Sequence, residues 1–289
     1  MRTIVYATDY SDNSIAALRY ASSLSLKTGA KLVAIHIFDY PTLLNHLGFE
    51  AEDPFPDIEG DAYKKHNAKL KAFCTKVLQD DLDQLDFDFE AIEHKSIVNG
   101  IVEKAKAVDA SLIVTGMKGG SAVKEIIMGN TAKHLLEKSP CPVLSIPSDA
   151  SRRQIATIVY ATDFEDEDYG AINKLLEIAR PYKAKLKLVH IAPPEKLIGK
   201  RYEAEIQNAV SKYIEYEDMD LDIIYSDDTF NALRIYLGQT NADLVAMLKR
   251  EPRSISSQVF HYDLVTRMES YGKVPLISFN AKNYGIFKL

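Results

Sequence analysis

The sequence predicts an α/β protein built as two tandem, doubly wound parallel-sheet domains of flavodoxin-like type, each with a five-stranded core in the order 3-2-1-4-5. Three observations predict it. Thr3-Ile4-Val5-Tyr6-Ala7-Thr8-Asp9 returns letter for letter as Thr157-Ile158-Val159-Tyr160-Ala161-Thr162-Asp163, 154 positions later. That offset also carries Lys31-Leu32 onto Lys185-Leu186 and His36-Ile37 onto His190-Ile191, so the register survives the intervening helix, as duplication requires. Within each copy, short apolar runs alternate with segments of helical period, and right-handed crossovers then place helices on both sheet faces. Finally, 289 residues is long for one ordinary core and comfortable for two.

The elements follow in order. Thr3 to Ala7 reads as a strand and Ser14 to Leu26 as a helix; the near-continuous apolar run from Lys31 to Phe38 suits a strand covered on both faces. A polar helix near Asp61 to Gln79 precedes a strand at Phe87 to Glu93 and a helix at Gly100 to Val108. The unit closes with a strand at Ala110 to Thr115, a helix at Thr131 to Glu137 and a strand at Val143 to Ile146. Its counterpart supplies strands at Ala184 to Ile191, Leu221 to Tyr225, Leu244 to Leu248 and Val274 to Phe279. These readings set domain limits of 1-148 and 154-289, joined by a polar linker too short to let the halves separate. Between Asp39 and Gly60 an acidic, proline-bearing insertion reads as a surface excursion.

Composition narrows the function. Apolar residues form 46% and charged residues 26% of the chain, the profile of a packed protein. A formal charge of -6 gives no bulk attraction for nucleic acid or an anionic membrane. No stretch approaches the roughly 20 apolar residues of a membrane span, and the start runs into Asp9 after few apolar residues, unlike a secretory signal. The expected location is the cytoplasm. Cys74 and Cys141 lack metal-type spacing and read as reduced core residues.

In an open parallel sheet, ligands bind beyond the strand C-termini where strand order reverses. Asp9 follows the first strand there, and Gly116-Met117-Lys118-Gly119-Gly120 follows the fourth. Gly116 and Gly119 can take positive φ and admit an anion close to backbone N–H groups. Gly129-Asn130-Thr131 then opens a helix whose free N–H groups favour phosphate. The ordered spacing Gly-x2-Gly-x9-Gly-Asn-Thr resembles the ATP-binding signature of the universal stress protein family. Val5-Tyr6-Ala7-Thr8-Asp9-Tyr10-Ser11 and Pro140-Cys141-Pro142-Val143-Leu144 are similar to that family too. The resemblance implies ATP, with Mg2+, as ligand. It also implies Asp9 near the ribose, the backbone of Ala7 and Ile37 near the adenine, and Gly116, Gly119, Gly129, Asn130 and Thr131 around sugar and phosphates. Asn130 stands where the family places serine.

The second unit departs further. Aligning Ala242 to Val245 with Ala110 to Val114 sets Met247 opposite Gly116 and Arg250 opposite Gly119, with no third glycine, so side chains would fill that cradle. The implied architecture is an intramolecular pseudo-dimer, with a homodimer open, whose second half binds nothing.

Plainer readings stand beside these. Asp9 suits a helix start, with Ser11 and Asp12 beside it. His36 and His190 read as structural, Lys118 as solvated and His134 as a surface residue. No P-loop, nucleophile elbow or zinc helix occurs, so no catalytic set is assigned. Three functions remain: an ATP-binding stress-response or signalling protein with an unidentified protein partner, a slow ATP hydrolase at the same crevice, and a scaffold without ligand.

Overall fold

The computed structural model describes residues 1–39, 58–117, 130–150, 154–195, 200–250 and 261–284. Most of the Asp39 to Gly60 insertion and residues 151–153 of the linker lie outside them. The first half runs β1 (Thr3–Ala7), α1 (Asp12–Thr28), β2 (Lys31–Phe38), α2 (Ile58–Leu78), β3 (Phe87–Glu93), α3 (Ile97–Ala107), β4 (Leu112–Gly116), α4 (Asn130–Lys138) and β5 (Val143–Ile146). Its second half runs β6 (Thr157–Ala161), α5 (Asp166–Tyr182), β7 (Lys185–Ala192), α6 (Lys200–Tyr213), β8 (Met219–Tyr225), α7 (Thr229–Gln239), β9 (Leu244–Lys249), α8 (His261–Tyr271) and β10 (Leu276–Asn280). Among the described residues no helix is long and apolar enough to cross a membrane.

Each half has the expected parallel order, but the halves share one sheet. Its order is β3-β2-β1-β4-β5-β10-β9-β6-β7-β8. Their junction is antiparallel, with Ser145 opposite Leu276, Leu144 opposite Ile277 and Val143 opposite Ser278. Pleating sends alternate residues to opposite faces. One face carries Ile4, Tyr6, Leu32 and Ala34 of the first half with Ile158, Tyr160, Leu186 and Leu188 of the second. Helices α1, α2, α5 and α6 cover it in one core spanning both halves. On the other face, Val5, Val33 and Ile35 lie under α3 and α4. Val159, Val189 and Val245 lie under α7 and α8, in a cluster that also takes Met117 and Leu136 from the first half.

The repeat extends to detail. Gly29 ends α1 in the left-handed conformation at φ 69°; the residue 154 positions on, Lys183, ends α5 at φ 51°. A side chain held there costs about 1 kcal/mol relative to glycine. Tyr6 Oη donates to Ser14 O at 2.7 Å and Tyr160 Oη to Asp168 Oδ1 at 2.7 Å, so each tyrosine ties its strand to the first turn of the following helix. Cys74 and Cys141 are buried free thiols, and burial pushes them to about 12 and about 11.

The junction buries a carboxyl group. Glu269 of α8, 7% exposed, accepts from Ser145 Oγ of β5 at 3.0 Å. Burial pushes its pKa up to about 7, against the opposing effects of that hydrogen bond and Lys249. Unfolded, the same group titrates near ~4.3. The folded pKa is the higher, so the protonated carboxyl's contribution is complete below the unfolded value and is lost as pH rises through about 7. Urea unfolding between pH 5 and 8 should show a stability decrease on the order of 3 kcal/mol from this group. Glu269→Gln should flatten that decrease; an unchanged profile would show that Glu269 does not titrate in this window.

Candidate functional site

The first crevice forms where β1 has β2 on one side and β4 on the other. Four expected residues meet at this sheet edge. Ala7 ends β1 opposite Ile35, with Thr8 N donating to Ile35 O at 3.0 Å. Ile37 lies further along β2, opposite Ile92. Gly116 ends β4 opposite Ile146, and Asp9 begins the turn into α1. Asn130 and Thr131 open α4, although their side chains lie outside the described residues, as do Gly119, Gly129 and Lys118.

Asp9 is exposed but fixed. Tyr10 turns the chain through the left-handed region at φ 66°, its N–H bonded to Thr8 Oγ1 at 3.0 Å. Asp9 Oδ1 then accepts from Ser11 N at 3.0 Å, Ser11 Oγ at 2.6 Å and Ser14 Oγ at 2.6 Å. Partial burial alone would raise its pKa, but the hydrogen bonds from Ser11 and Ser14 hold it below the ordinary carboxylate value. The group is an ionised acceptor with no cation paired to it among the described residues. Its helix-start role and its availability to a ligand's hydroxyl are therefore compatible.

Gly116 has a different reason from the one its loop position suggests. Its φ is not positive. A Cβ there would lie 2.8 Å from both C and O of Asn13, so glycine lets the first turn of α1 approach the end of β4. This contact closes one wall of the crevice whether or not an anion is present.

The second crevice uses the same frame with different chemistry. Phe164 repeats the left-handed turn at φ 59°, and its N–H bonds to Thr162 Oγ1 at 2.8 Å. At the repeat offset, Asp9, Ser11 and Ser14 become Asp163, Glu165 and Asp168, three carboxylates where the first half has one and two donors. Arg250 bridges them. Its Nη2 donates to Asp168 Oδ2 at 2.6 Å and its Nη1 to Asp163 Oδ2 at 3.3 Å. Nε lies 3.2 Å from Glu165 Oε2, a charge contact without hydrogen-bond alignment. Burial would lower the guanidinium pKa, but Asp168, Glu165 and Asp163 hold it above its ordinary value. A cavity of only ≈ 40 Å³ remains between Ala161, Asp163, Met247, Arg250 and Leu264, space for about one water.

The strand register corrects the alignment of the halves by one residue. Ile4 faces Leu112 as Ile158 faces Leu244, which puts Leu248 opposite Gly116 and Arg250 opposite Lys118. The plug thus occupies the lysine position of the loop rather than its second glycine. Both histidines, read from sequence as buried and structural, are partly buried and held to the backbone: Nδ1 lies 2.8 Å from Thr8 O for His36 and from Thr162 O for His190. His36 packs 4.3 Å from the Tyr10 ring, and burial lowers its pKa. His134 is exposed beside Glu137. Arg250 as a bridge and the acids at 165 and 168 were missed from sequence. Their signal was the exchange of two serines for two acids beside a retained aspartate, which demands a cation.

A doubly wound α/β unit with a crevice at the β1/β4 switch point, duplicated within one sheet, defines the class. The sequence profile described as "Universal stress protein family" matches residues 1–147, and the chain belongs to that family. An uncharacterized protein of Schizosaccharomyces pombe is 24% identical over 140 residues, 47% of this chain and 22% of that protein. The chain thus spans less than a quarter of that relative's length. A universal stress protein of Methanocaldococcus jannaschii is 28% identical over 152 residues, 50% of this chain and 81% of that one. A solved universal stress protein from Archaeoglobus fulgidus superposes with a TM-score of 0.68 at 18% identity, covering 96% of this chain and 98% of that one. This last likeness extends the shared fold across both halves.

Substitutions at two positions test the geometry. Gly116→Ala should destabilise by about 1–3 kcal/mol, since the Asn13 backbone must move; unaltered denaturant unfolding would show that α1 shifts freely. Arg250→Met should cost about 3–5 kcal/mol by stranding buried Asp168, with Arg250→Lys intermediate because lysine lacks the planar fork. A Met variant as stable as wild type would show that the carboxylates are relieved by water or protons.

Proposed function

We propose that this chain is a cytoplasmic stress-response or signalling protein that binds ATP in the crevice of its first half. In this reading residues 154-289 form a structural domain that substitutes for a dimer partner of residues 1-148. One observation carries it: two crevices on a common frame, the second filled by Arg250, the first presenting Asp9 with no cation among the described residues.

The residues fit a nucleotide by their chemistry. Ala7 and Ile37 offer apolar surface and backbone groups for a base, Asp9 an ionised acceptor for ribose hydroxyls, and the segment from Gly116 to Thr131 leads into a helix N-terminus suited to phosphate. Gly119, Gly129, Asn130 and Thr131 enter on sequence alone. Among the described residues no group of three or more His, Cys, Asp or Glu side chains could hold a metal. Mg2+ in this reading arrives on the phosphates, which suits a cation that keeps its waters and binds few protein carboxylates.

Asp9 and Gly116 also have complete structural roles, and this observation supports the ligand-free scaffold as second reading. Mass spectrometry for co-purifying nucleotide and thermal unfolding with ATP and Mg2+ separate the two. ATP at one hundred times its Kd should raise Tm by about 5 °C, with Gly129→Tyr abolishing the rise at unchanged ligand-free Tm. Absence of both nucleotide and shift, with ADP and AMP equally inert, would select the scaffold.

A further inference from the structure

We propose that Thr115 places a hydroxyl on the floor of the first crevice to hydrogen-bond the base of the bound nucleotide. The inference rests on the nucleotide reading above and deepens it. Thr115 Oγ1 is buried and has no hydrogen-bond partner among the described residues. Buried hydroxyls are satisfied in most structures, and an unmet one is costly. A threonine placed for packing alone would be better served by valine, its near-isostere.

Its position suggests what meets it. Thr115 is opposite Ser145 of β5, and on the other side β4 pairs with β1 through Tyr6 and Val114, which brings Ala7 alongside Thr115. Alternation puts Thr115 on the face of Ile113, Val5 and Ile37, under α3 and α4. Val5, Ala7, Ile35 and Ile37 give this face its aliphatic surface beside Thr115, and the neighbouring Ser145 hydroxyl is already committed to Glu269. Asp9, an anion, repels phosphate and suits sugar hydroxyls, so the aliphatic floor is left for the base. A hydroxyl both donates and accepts, and a purine edge carries ring nitrogens and an exocyclic amine to match. In the second crevice, by strand register, buried Met247 stands in this place, where Arg250 leaves no room for a base.

Calorimetric titration of wild type, Thr115→Val and Thr115→Ser with ATP, and with ribose 5-triphosphate lacking a base, tests the assignment, alongside ligand-free Tm. Thr115→Val should weaken ATP about tenfold and leave the ribose triphosphate unchanged, with ligand-free Tm raised by about 2–4 °C; Thr115→Ser should keep ATP affinity. Equal ATP affinity in wild type and Thr115→Val would overturn the base contact while leaving nucleotide binding intact. Equal weakening of both ligands would reduce Thr115 to a packing role. No ATP binding by wild type would overturn the nucleotide reading and this inference with it.

Discussion

The structure depends on covering the edge of β5. A doubly wound sheet ends at its last strand in a row of unpaired backbone groups, and Val143-Leu144-Ser145-Ile146 is buried at every position. Left open, such an edge would invite pairing with another chain. Here β10 covers it, and the same contact closes the edge of β10. The other consequences follow from this pairing: the shared core under α1 and α5, the passage of Met117 and Leu136 into the second half's cluster, and the burial of Glu269 over Ser145. The outer edges are protected by charge instead. On β3, Asp88 and Glu90 pair with Lys31 and Lys104; on β8, Asp220 pairs with Lys185 and Lys187.

The two crevices show how one backbone turn supports opposite outcomes. In both halves an aspartate follows β1 or β6, and the next residue is forced left-handed by the bond to a threonine hydroxyl. Where serines supply the remaining donors, the carboxylate is satisfied by neutral partners and keeps its charge for use. Where those serines become Glu165 and Asp168, three negative groups converge and Asp168 is almost wholly buried. Only a cation makes that arrangement stable, and Arg250 can reach all three through its planar fork. The second crevice is thus filled because of substitutions on the helix side as much as the missing glycines.

Most of the fold was legible in the sequence because duplication supplied its own control: a strand read once was read again 154 positions later. Strands whose apolar runs end cleanly, such as Lys31–Phe38 and Val143–Ile146, matched to the residue. Less legible was anything set by tertiary pairing. Nothing in Val143 to Ile146 or Val274 to Phe279 distinguishes an edge left to solvent from one joined antiparallel to its twin. Gly116 was misread for a related reason: a glycine after a strand suggests positive φ, whereas its constraint is the Asn13 backbone, distant in sequence. The exchange of Ser11 and Ser14 for acids was plainly visible, yet it acquires meaning only when Arg250 is known to return to the same turn.

The second half also reaches the first crevice through α4. This helix opens toward the crevice at Asn130, and its last carbonyls need partners that its own ladder does not provide. The second half supplies them: Asn280 Nδ2 donates to Leu136 O at 3.1 Å and Glu137 O at 3.2 Å, and Asn283 Nδ2 donates to Ser139 O just beyond. Lys249 Nζ lies 3.3 Å from Glu137, adding a positive charge at the helix end where the dipole favours one. The half whose own crevice is filled thereby fixes the far end of the helix that borders the other. Arg250 and its carboxylates tie the end of β9 to the start of α5, so the half that holds the end of α4 is itself cross-linked at its own strand ends.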